Sequence, residues 1–389
     1  MKILIISRGY PTREDPLNGN FEYEQAIALA NQGIEVVFAY IDRRTSTQHN
    51  RAVGLTKITT KPFPVYGGYL RPIPFRYFPR LSTWLYKRRF LNLMELIVND
   101  GNIPELIHCH YLFNLPCALA IKDKYNIPVI ITEHWSKIKE NPIQPYVRYL
   151  SKFYSRADKI LTVSNSLAKS VKDISCCECT VLPNMVSEEY FKNNKKQEDK
   201  SKTVVNAEAI KFIAIGSFLK VKSFDLLIEA FSSYHKRHIE SMLTIVGDGP
   251  EMLTLQGLVK KEHLSESVRL TGRLNKEDVR VEIMKSDVLV VSSIIETFSV
   301  VAIEAMSCGR PVISTDCGGP SDFITDANGI ICKEHTSESL CEAMELMTQN
   351  IVRFDSLQIK EFVINNYHPR VITSKLKTEY KKIITNYQN

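Results

Sequence analysis

The chain has 389 residues, 44% hydrophobic and 24% charged, and no apolar run approaches the roughly 18–20 residues of a membrane span. Those figures exclude wholesale disorder, collagen-like repeats and a disulfide-stapled miniprotein, and the length favours two domains of about 150–200 residues. The net charge of +7 is local: between Arg43 and Met94 stand eleven basic residues and no acid, so the rest of the chain is slightly acidic.

The first forty residues read as one βαβ unit. KILIIS is a run of buried-strand length, and a loop of about a dozen residues follows, RGYPTREDPLNGN, punctuated by Gly9, Pro11, Pro16 and Gly19. A loop that long in a compact unit is a candidate functional loop. The helix FEYEQAIALANQ is stopped by Gly33 at the C′ position, and IEVVFAY is the next strand. Beyond the basic window, ELIHC, PVIIT, KILTVS and CTVL read as strands, with helical stretches such as NSLAKSVKD between them. Residues 191–208, polar and rich in lysine, read as a linker. A second alternating series starts at Lys211: KFIAIGSF, MLTIVGDG, VRLTG, DVLVVSS, PVISTD and GIICK. The expected fold is α/β, with two Rossmann-like doubly wound parallel sheets facing a central cleft. Their expected bounds are 1–190 and 209–369, with an amphipathic helix over 370–389 packing back onto the first domain. MKILIIS is too short for a signal-peptide core, and the nine cysteines form no zinc-like pair of CxxC units; Cys176, Cys177 and Cys179 are bunched without partners. Reduced thiols in a cytoplasmic protein are the expectation.

The most informative stretch is SSIIETFSVVAIEAMSCGRPVISTDCGG, residues 292–319. It reads as a strand ending near Ser293 and a helix over Thr297–Cys308, terminated by Gly309 and Pro311. Glu296 and Glu304 lie eight positions apart, which on a helix is about 12 Å of rise and about 80° of rotation. That span suits one extended ligand held at both ends, its anionic middle over the helix N-terminus, which is the shape of a nucleotide sugar. Glu296 alone is also what the helix macrodipole favours at a helix start. Glu304, among Val300, Val301, Ile303, Ala305 and Met306, is costly without a partner. GxGxxG follows neither first strand, which disfavours a hydride-transfer enzyme.

Here the chain resembles a known family. ETFSVVAIEAMSCGRPVI is similar to the Glu-x7-Glu motif of retaining glycosyltransferases of the GT-B fold, family-4 type, commonly E-G-F-G-x-x-x-x-E-A-M-A-x-G-x-P-V-I. GYP…NGNFEYEQAIALANQGIEVV, IPVIITEHWS, ADKILTVS, VLPNMV and VGDGP fall in family order, so the resemblance spans nearly the whole chain. It implies a metal-independent hexosyltransferase of cell-surface polysaccharide or glycan biosynthesis. Such an enzyme has no cofactor beyond the nucleotide-diphosphate sugar as co-substrate. Glu296 would contact hydroxyls of the donor sugar and Glu304 those of the ribose. The N–H groups of Phe298, Ser299 and Val300 would meet the diphosphate, and Lys222 would neutralise it. His134 would face the sugar across the cleft. Gly19, lacking a side chain, would let acceptor and sugar approach, and the turn ending at Leu274 would lie near the base. The family's usual arginine is Ser217 here, and glycines have become Thr297, Ser299 and Ser223; Arg273 and Lys220 are substitutes for the missing cation. His134 stands just after PVIIT, at a strand's carboxyl end; His108 and His110 end another strand, open between core and site.

The basic window contains RPIPFRYFPRLSTWLYKRRF, in which Phe75, Tyr77, Phe78, Trp84, Tyr86 and Phe90 interleave with arginines. The expectation is that Arg71–Phe90 docks on an anionic membrane surface, suited to a glycan or lipid-linked acceptor, with no role for nucleic acid. A solvated basic face is the plain alternative. Two rival functions stay open: a non-catalytic nucleotide-sugar-binding partner, and a GT-B nucleotide-sugar epimerase.

Overall fold

The computed structural model describes residues 1–12, 15–42, 54–59, 61–70, 77–191 and 209–388. They form two compact units, one of Met1–Pro183 with Pro369–Asn389, the other of Asn184–His368. The 191–208 linker expected from composition lies outside the described residues, apart from Phe191.

In the first unit β1 (Lys2–Ser7), α1 (Asn20–Asn31), β2 (Glu35–Asp42), β3 (Leu55–Thr59), β4 (Pro64–Tyr69) and α2 (Pro79–Asn99) come first. β5 (Leu106–His110), α3 (Leu115–Tyr125), β6 (Val129–Glu133), α4 (Lys137–Glu140), α5 (Pro145–Ser151), β7 (Lys159–Thr162), α6 (Asn165–Ser175) and β8 (Thr180–Val181) follow. The sheet runs β3-β4-β2-β1-β5-β6-β7-β8, parallel except where β3 meets β4. Ile3, Leu4, Ile5 and Ile6 of β1 are all fully buried, as a central strand covered on both faces requires. α1 ends as the sequence predicts: Gly33 holds φ 76°, its N–H donating to Ala30 O and that of Ile34 to Leu29 O, a Schellman closure.

β3 and β4 carry no strand signal in the sequence, for local reasons. β3 is an exposed edge, and β4 contains Gly67 and Gly68. A Cβ at Gly67 would sit 2.3 Å from the Tyr40 ring on β2, so the glycine is a packing requirement of the neighbouring strand.

The second unit holds β9 (Lys211–Ile215), α7 (Phe224–His235), β10 (Met242–Val246), α8 (Met252–Lys261), β11 (Val268–Leu270) and α9 (Lys276–Lys285). β12 (Val288–Val291), α10 (Val300–Ser307), β13 (Val312–Ser314), β14 (Gly329–Ile331), α11 (Ser337–Asn350) and α12 (Ser356–Tyr367) complete it. Its sheet, all parallel, is ordered β11-β10-β9-β12-β13-β14. Phe212, Phe231, Tyr234, Leu243, Ile245, Val290 and Met344 pack in its core. Side chains cap α9, α11 and α12: Asn275 accepts from Asp278 N, Thr336 from Ser339 N, and Asp355 from Leu357 N.

The chain enters the second unit at Asn184, whereas the sequence reading runs the first domain to 190. Val186 N donates to Tyr367 O, and the turn Glu188–Phe191 packs on α10, contacts that composition does not reveal. The last helix, α13 (Pro369–Gln388), lies on the first unit. There Tyr380 Oη is 2.6 Å from His108 Nδ1, and Gln32 Nε2 donates to Arg370 O.

Candidate functional site

In a doubly wound sheet, ligands bind where strand order reverses, at the strands' carboxyl ends. In the second unit that point lies between β9 and β12. The loops leaving those strands, Gly216–Ser223 and Ser292–Ser299, are tied together: Ile294 N donates to Val221 O and Ser292 Oγ to Lys222 O, both at 2.8 Å. This brings Lys222 Nζ to 2.5 Å from Glu296 Oε1, and Ser293 Oγ donates to the same oxygen at 2.8 Å. Glu296 is further fixed through its backbone, donating to Cys317 O and accepting from Gly319 N. Gly319 has to be a glycine, since a Cβ there would lie 2.4 Å from Phe298 Cα.

The helix expected from Thr297 starts at Val300. Ser299 adopts a left-handed φ of 74°, and Glu296 sits in an extended bridge with Gly318. Glu296 is therefore in the loop before α10, and the expected helical rise and rotation to Glu304 do not apply. The Phe298 side chain is buried against Phe323 and Tyr367, which leaves only its backbone for a ligand. The Ser299 hydroxyl is buried with no partner among the described residues. Val300 opens α10, where the first N–H groups have no acceptor in the preceding turn, while Ala302 N donates to Ser299 O.

Glu304 is half-buried on α10. Desolvation raises its pKa to about 7, against the Lys276 cation and a hydrogen bond from the Tyr190 hydroxyl, which both lower it. Burial in turn pulls the Lys276 ammonium down, with Glu304 opposing, and pushes the Tyr190 phenol far up. Sequence reasoning missed both neighbours. Tyr190 stands 114 positions before Glu304, and no spacing signals the pair.

Ser217 is exposed on the Gly216 loop. Lys220 is engaged with Glu251 at 3.4 Å. Gly247 N donates to Gly272 O, and the Gly247 backbone packs against Gly216 O, so the turn 271–274 adjoins the Ser217 loop. Arg273 on that turn is exposed and forms no ion pair among the described residues, and Leu274 beside it is half-buried.

The first unit reverses strand order between β1 and β5. Gly19 caps α1 at φ 74°, and a Cβ there would lie 2.2 Å from Gly9 O. Gly19 is itself buried, so backbone packing is by itself a reason for the glycine. Arg8, which sequence reasoning passed over, leaves β1 to lie 5.3 Å over the Tyr111 ring and 3.6 Å from Glu22. Tyr111, just after β5, holds φ 66°, an unfavourable value for an aromatic residue. Its ring is 5.1 Å from that of His134.

His134 leaves the end of β6 on a loop pinned by Glu133, whose Oε1 accepts from His134 N and Trp135 N at 2.9 Å. Its Oε2 accepts from Leu112 N and the Tyr154 hydroxyl. Burial raises Glu133 to about 7, and these four bonds oppose the rise. Burial, with Arg8 and His108 adding, holds His134 down to about 3. His134 Nε2 is 3.1 Å from His110 Nδ1; His108 is a core residue held by Tyr380 and Thr132. No group of three or more His, Cys, Asp or Glu among the described residues is arranged to hold a metal ion.

Tyr86 and Phe90, expected at a membrane face, are core residues only 2% and 1% exposed. The Tyr86 hydroxyl donates to Ile41 O, and the two rings meet edge to face. Their placement follows from α2, which turns Tyr86, Phe90, Leu93 and Ile97 inward while Arg80, Trp84 and Arg88 stay outside. Residues 71–76, including Arg71, Phe75 and Arg76, lie outside the described residues. No helix of the described residues is long and apolar enough to cross a membrane.

Two doubly wound sheets, each with polar side chains gathered at its switch point, define a two-unit α/β ligand-binding architecture, and comparison with known proteins names it. Residues 20–190 match the family described as Glycosyltransferase Family 4, and 195–353 that described as Glycosyl transferases group 1. An uncharacterised glycosyltransferase of Methanocaldococcus jannaschii is 30% identical over 255 residues, 64% of this chain and 67% of its own. A putative teichuronic acid biosynthesis glycosyltransferase of Bacillus subtilis is 26% identical over 362 residues, 88% of each chain. Among solved structures, sucrose-phosphate synthase from Thermosynechococcus elongatus superposes with a TM-score of 0.77 at 19% identity, covering 99% of this chain and 100% of that one. An Anabaena protein in complex with UDP-glucose gives 0.72 at 17% identity, covering 98% and 100%. The chain belongs to the GT-B glycosyltransferases of the family-4 type. It is thus an enzyme, and neither the binding-partner nor the epimerase reading is needed.

Proposed function

We propose that the chain transfers a hexose-type sugar from a nucleoside diphosphate sugar to a hydroxyl of a glycan or lipid-linked acceptor, with retention at the anomeric carbon and without a metal. The observation that carries the proposal is the Lys222–Glu296–Ser293 group at the β9/β12 switch point, beside the Val300 and Val301 amides that open α10. A diphosphate arriving there takes Lys222 into its own charge field and frees the Glu296 carboxylate for sugar hydroxyls. Glu304 accepts from the ribose hydroxyls, and His134 contacts the sugar. Arg273 supplies the second cation, because Lys220 is already paired with Glu251. In transfer the C1–O bond to the diphosphate breaks and its electron pair leaves on the phosphate oxygen. The acceptor oxygen bonds C1, and its proton passes to the departing phosphate. Lys222 and the amides offset the charge that develops, the kind of preorganised stabilisation worth several kcal/mol in a desolvated site.

The UDP-glucose complex of the Anabaena structure and the polymer named for the Bacillus subtilis relative both favour this substrate class. A membrane-facing acceptor is favoured by a groove of about 1250 Å³ on the first unit. Exposed Phe78, Leu81 and Ile143 line it together with Arg80, Arg148 and Lys152. Exposed apolar side chains beside three cations, with Asp173 also in the lining, suit an anionic lipid surface on the cytoplasmic face.

The test is donor screening by thermal shift over UDP-, GDP-, ADP- and dTDP-sugars, then transfer with the stabilising donor and NMR of the product anomer. Retention and a rate unchanged by EDTA are expected. An inverted product or a strict Mg²⁺ requirement would refute the mechanism.

A further inference from the structure

We propose that His110 is a positioning residue that locks His134 as the Nδ1–H tautomer, so that His134 presents a hydrogen-bond donor to the sugar. The inference rests on the reading that His134 acts on the sugar, and deepens it.

His110 Nδ1 and His134 Nε2 are 3.1 Å apart, and the rings stack at 24° with centroids 5.3 Å apart. Burial keeps both rings neutral at neutral pH. Two neutral imidazoles place one proton at such a contact, so one ring donates and the other accepts. In the first arrangement His134 donates from Nε2, His110 accepts at Nδ1, and His110 carries its own proton on Nε2. That nitrogen is buried and has no partner among the described residues. An orphaned buried N–H is rarer and costlier than an orphaned lone pair. In the second arrangement His110 donates from Nδ1 and leaves only a lone pair bare. His134 then accepts at Nε2 and carries its proton on Nδ1. The second arrangement has the lower cost.

The surroundings hold the pair in place. Asn114 Nδ2 donates to His110 O at 2.8 Å, and the His108 ring lies 4.3 Å from that of His110. His108 is itself bonded on both nitrogens, to Tyr380 and Thr132. Glu133 fixes the backbone of His134 while His110 fixes its ring. Nδ1 of His134 has no hydrogen-bond partner among the described residues, and it is the nitrogen left for a ligand. With Nε2 occupied and Nδ1 protonated, His134 keeps no lone pair for the acceptor's proton. It is a donor to a sugar oxygen and not a general base.

The experiment is long-range ¹H–¹⁵N NMR of the histidine-labelled full chain at neutral pH, with wild type, His110→Asn and His110→Leu compared. Wild type is expected to show His134 protonated on Nδ1, the opposite of the form that free imidazole side chains prefer. An amide N–H of Asn reaches the place of the His110 Nδ1–H, so His110→Asn keeps that tautomer. His110→Leu removes the donor; His134 reverts to Nε2–H and kcat falls about tenfold, as loss of one hydrogen bond implies. Nε2–H in wild type, or an unchanged tautomer in His110→Leu, overturns the inference. A switched tautomer with unchanged transfer leaves the His110–His134 pair standing and refutes instead the placement of His134 at the sugar. If His110→Leu does not fold, the wild-type spectrum and His110→Asn decide alone.

Discussion

Replacing Glu304 by Gln separates its electrostatic cost to the fold from its use in binding. Its carboxyl is raised from 4.5 to about 7, chiefly by desolvation. Each pKa unit is worth about 1.4 kcal/mol, so carrying the ionised form costs the native state about 3 kcal/mol, and about 1–2 once partial exposure is allowed for. The sign follows from the direction of the shift. The folded chain holds this proton more tightly than the unfolded one, so the advantage is complete below pH 4.5 and lost as pH rises through about 7. Gln imitates the protonated carboxyl and still accepts from Tyr190. At pH 8.5, then, the variant is expected to unfold about 4 °C above wild type, and at pH 4.5 the difference shrinks towards zero. Nucleotide-sugar affinity is expected to move the other way, falling about tenfold at pH 8.5, because an amide replaces a carboxylate proposed to accept from ribose hydroxyls. Thermal unfolding and titration calorimetry at both pH values measure the two effects. A stability difference that does not depend on pH would refute the desolvation argument, and unchanged affinity would remove Glu304 from the ribose.

Lys222→Met should lower transfer about 10²–10³-fold, through loss of the cation proposed to stand beside the departing diphosphate. A rate within threefold of wild type, in a nucleoside diphosphate release assay, would reassign that role. Gly19→Ala should destabilise the first unit by about 2 kcal/mol or more, since Cβ meets Gly9 O at a left-handed φ; an unaltered denaturation midpoint would contradict the packing. For the membrane, Arg80, Arg148 and Lys152 changed together to Ser should cut liposome binding about 100-fold, at about 1 kcal/mol per charge. Phe78→Ser with Leu81→Ser should weaken it independently of salt. Equal sedimentation of wild type with neutral and anionic vesicles would refute the docking reading.

Several residues of the candidate site could be singled out from sequence because their signals are local. Glu296, Ser299 and Val300 lie within one motif, and Lys222 follows the strand that opens the second sheet. The carboxyl end of a strand is a position that apolar runs mark directly, which is why His134 stood out. The helix start was misplaced because Thr297 and Phe298 are compatible with a helix. The bridge from Glu296 to Gly318, which extends the chain instead, pairs residues 22 positions apart. Tyr86 and Phe90 were set on a membrane face because composition shows a basic aromatic run without showing which side of α2 turns inward.

By itself the sequence determined the alternation of strands and helices, the division into two parallel-sheet units and, with them, the α/β fold class. All of these depend on spacings of a few residues, which backbone geometry converts directly into faces and ends. Only the tertiary structure decided which groups meet across long separations. It set Tyr190 and Lys276 around Glu304, Arg8 over Tyr111, His110 against His134 and Tyr380 against His108. It also decided that Lys222 and Glu296 share a proton-donor contact 74 positions apart. Strand order sets those meetings, since the reversals between β1 and β5 and between β9 and β12 choose which loops become neighbours. Strand order is a property of the whole sheet's packing, and no local spacing carries it.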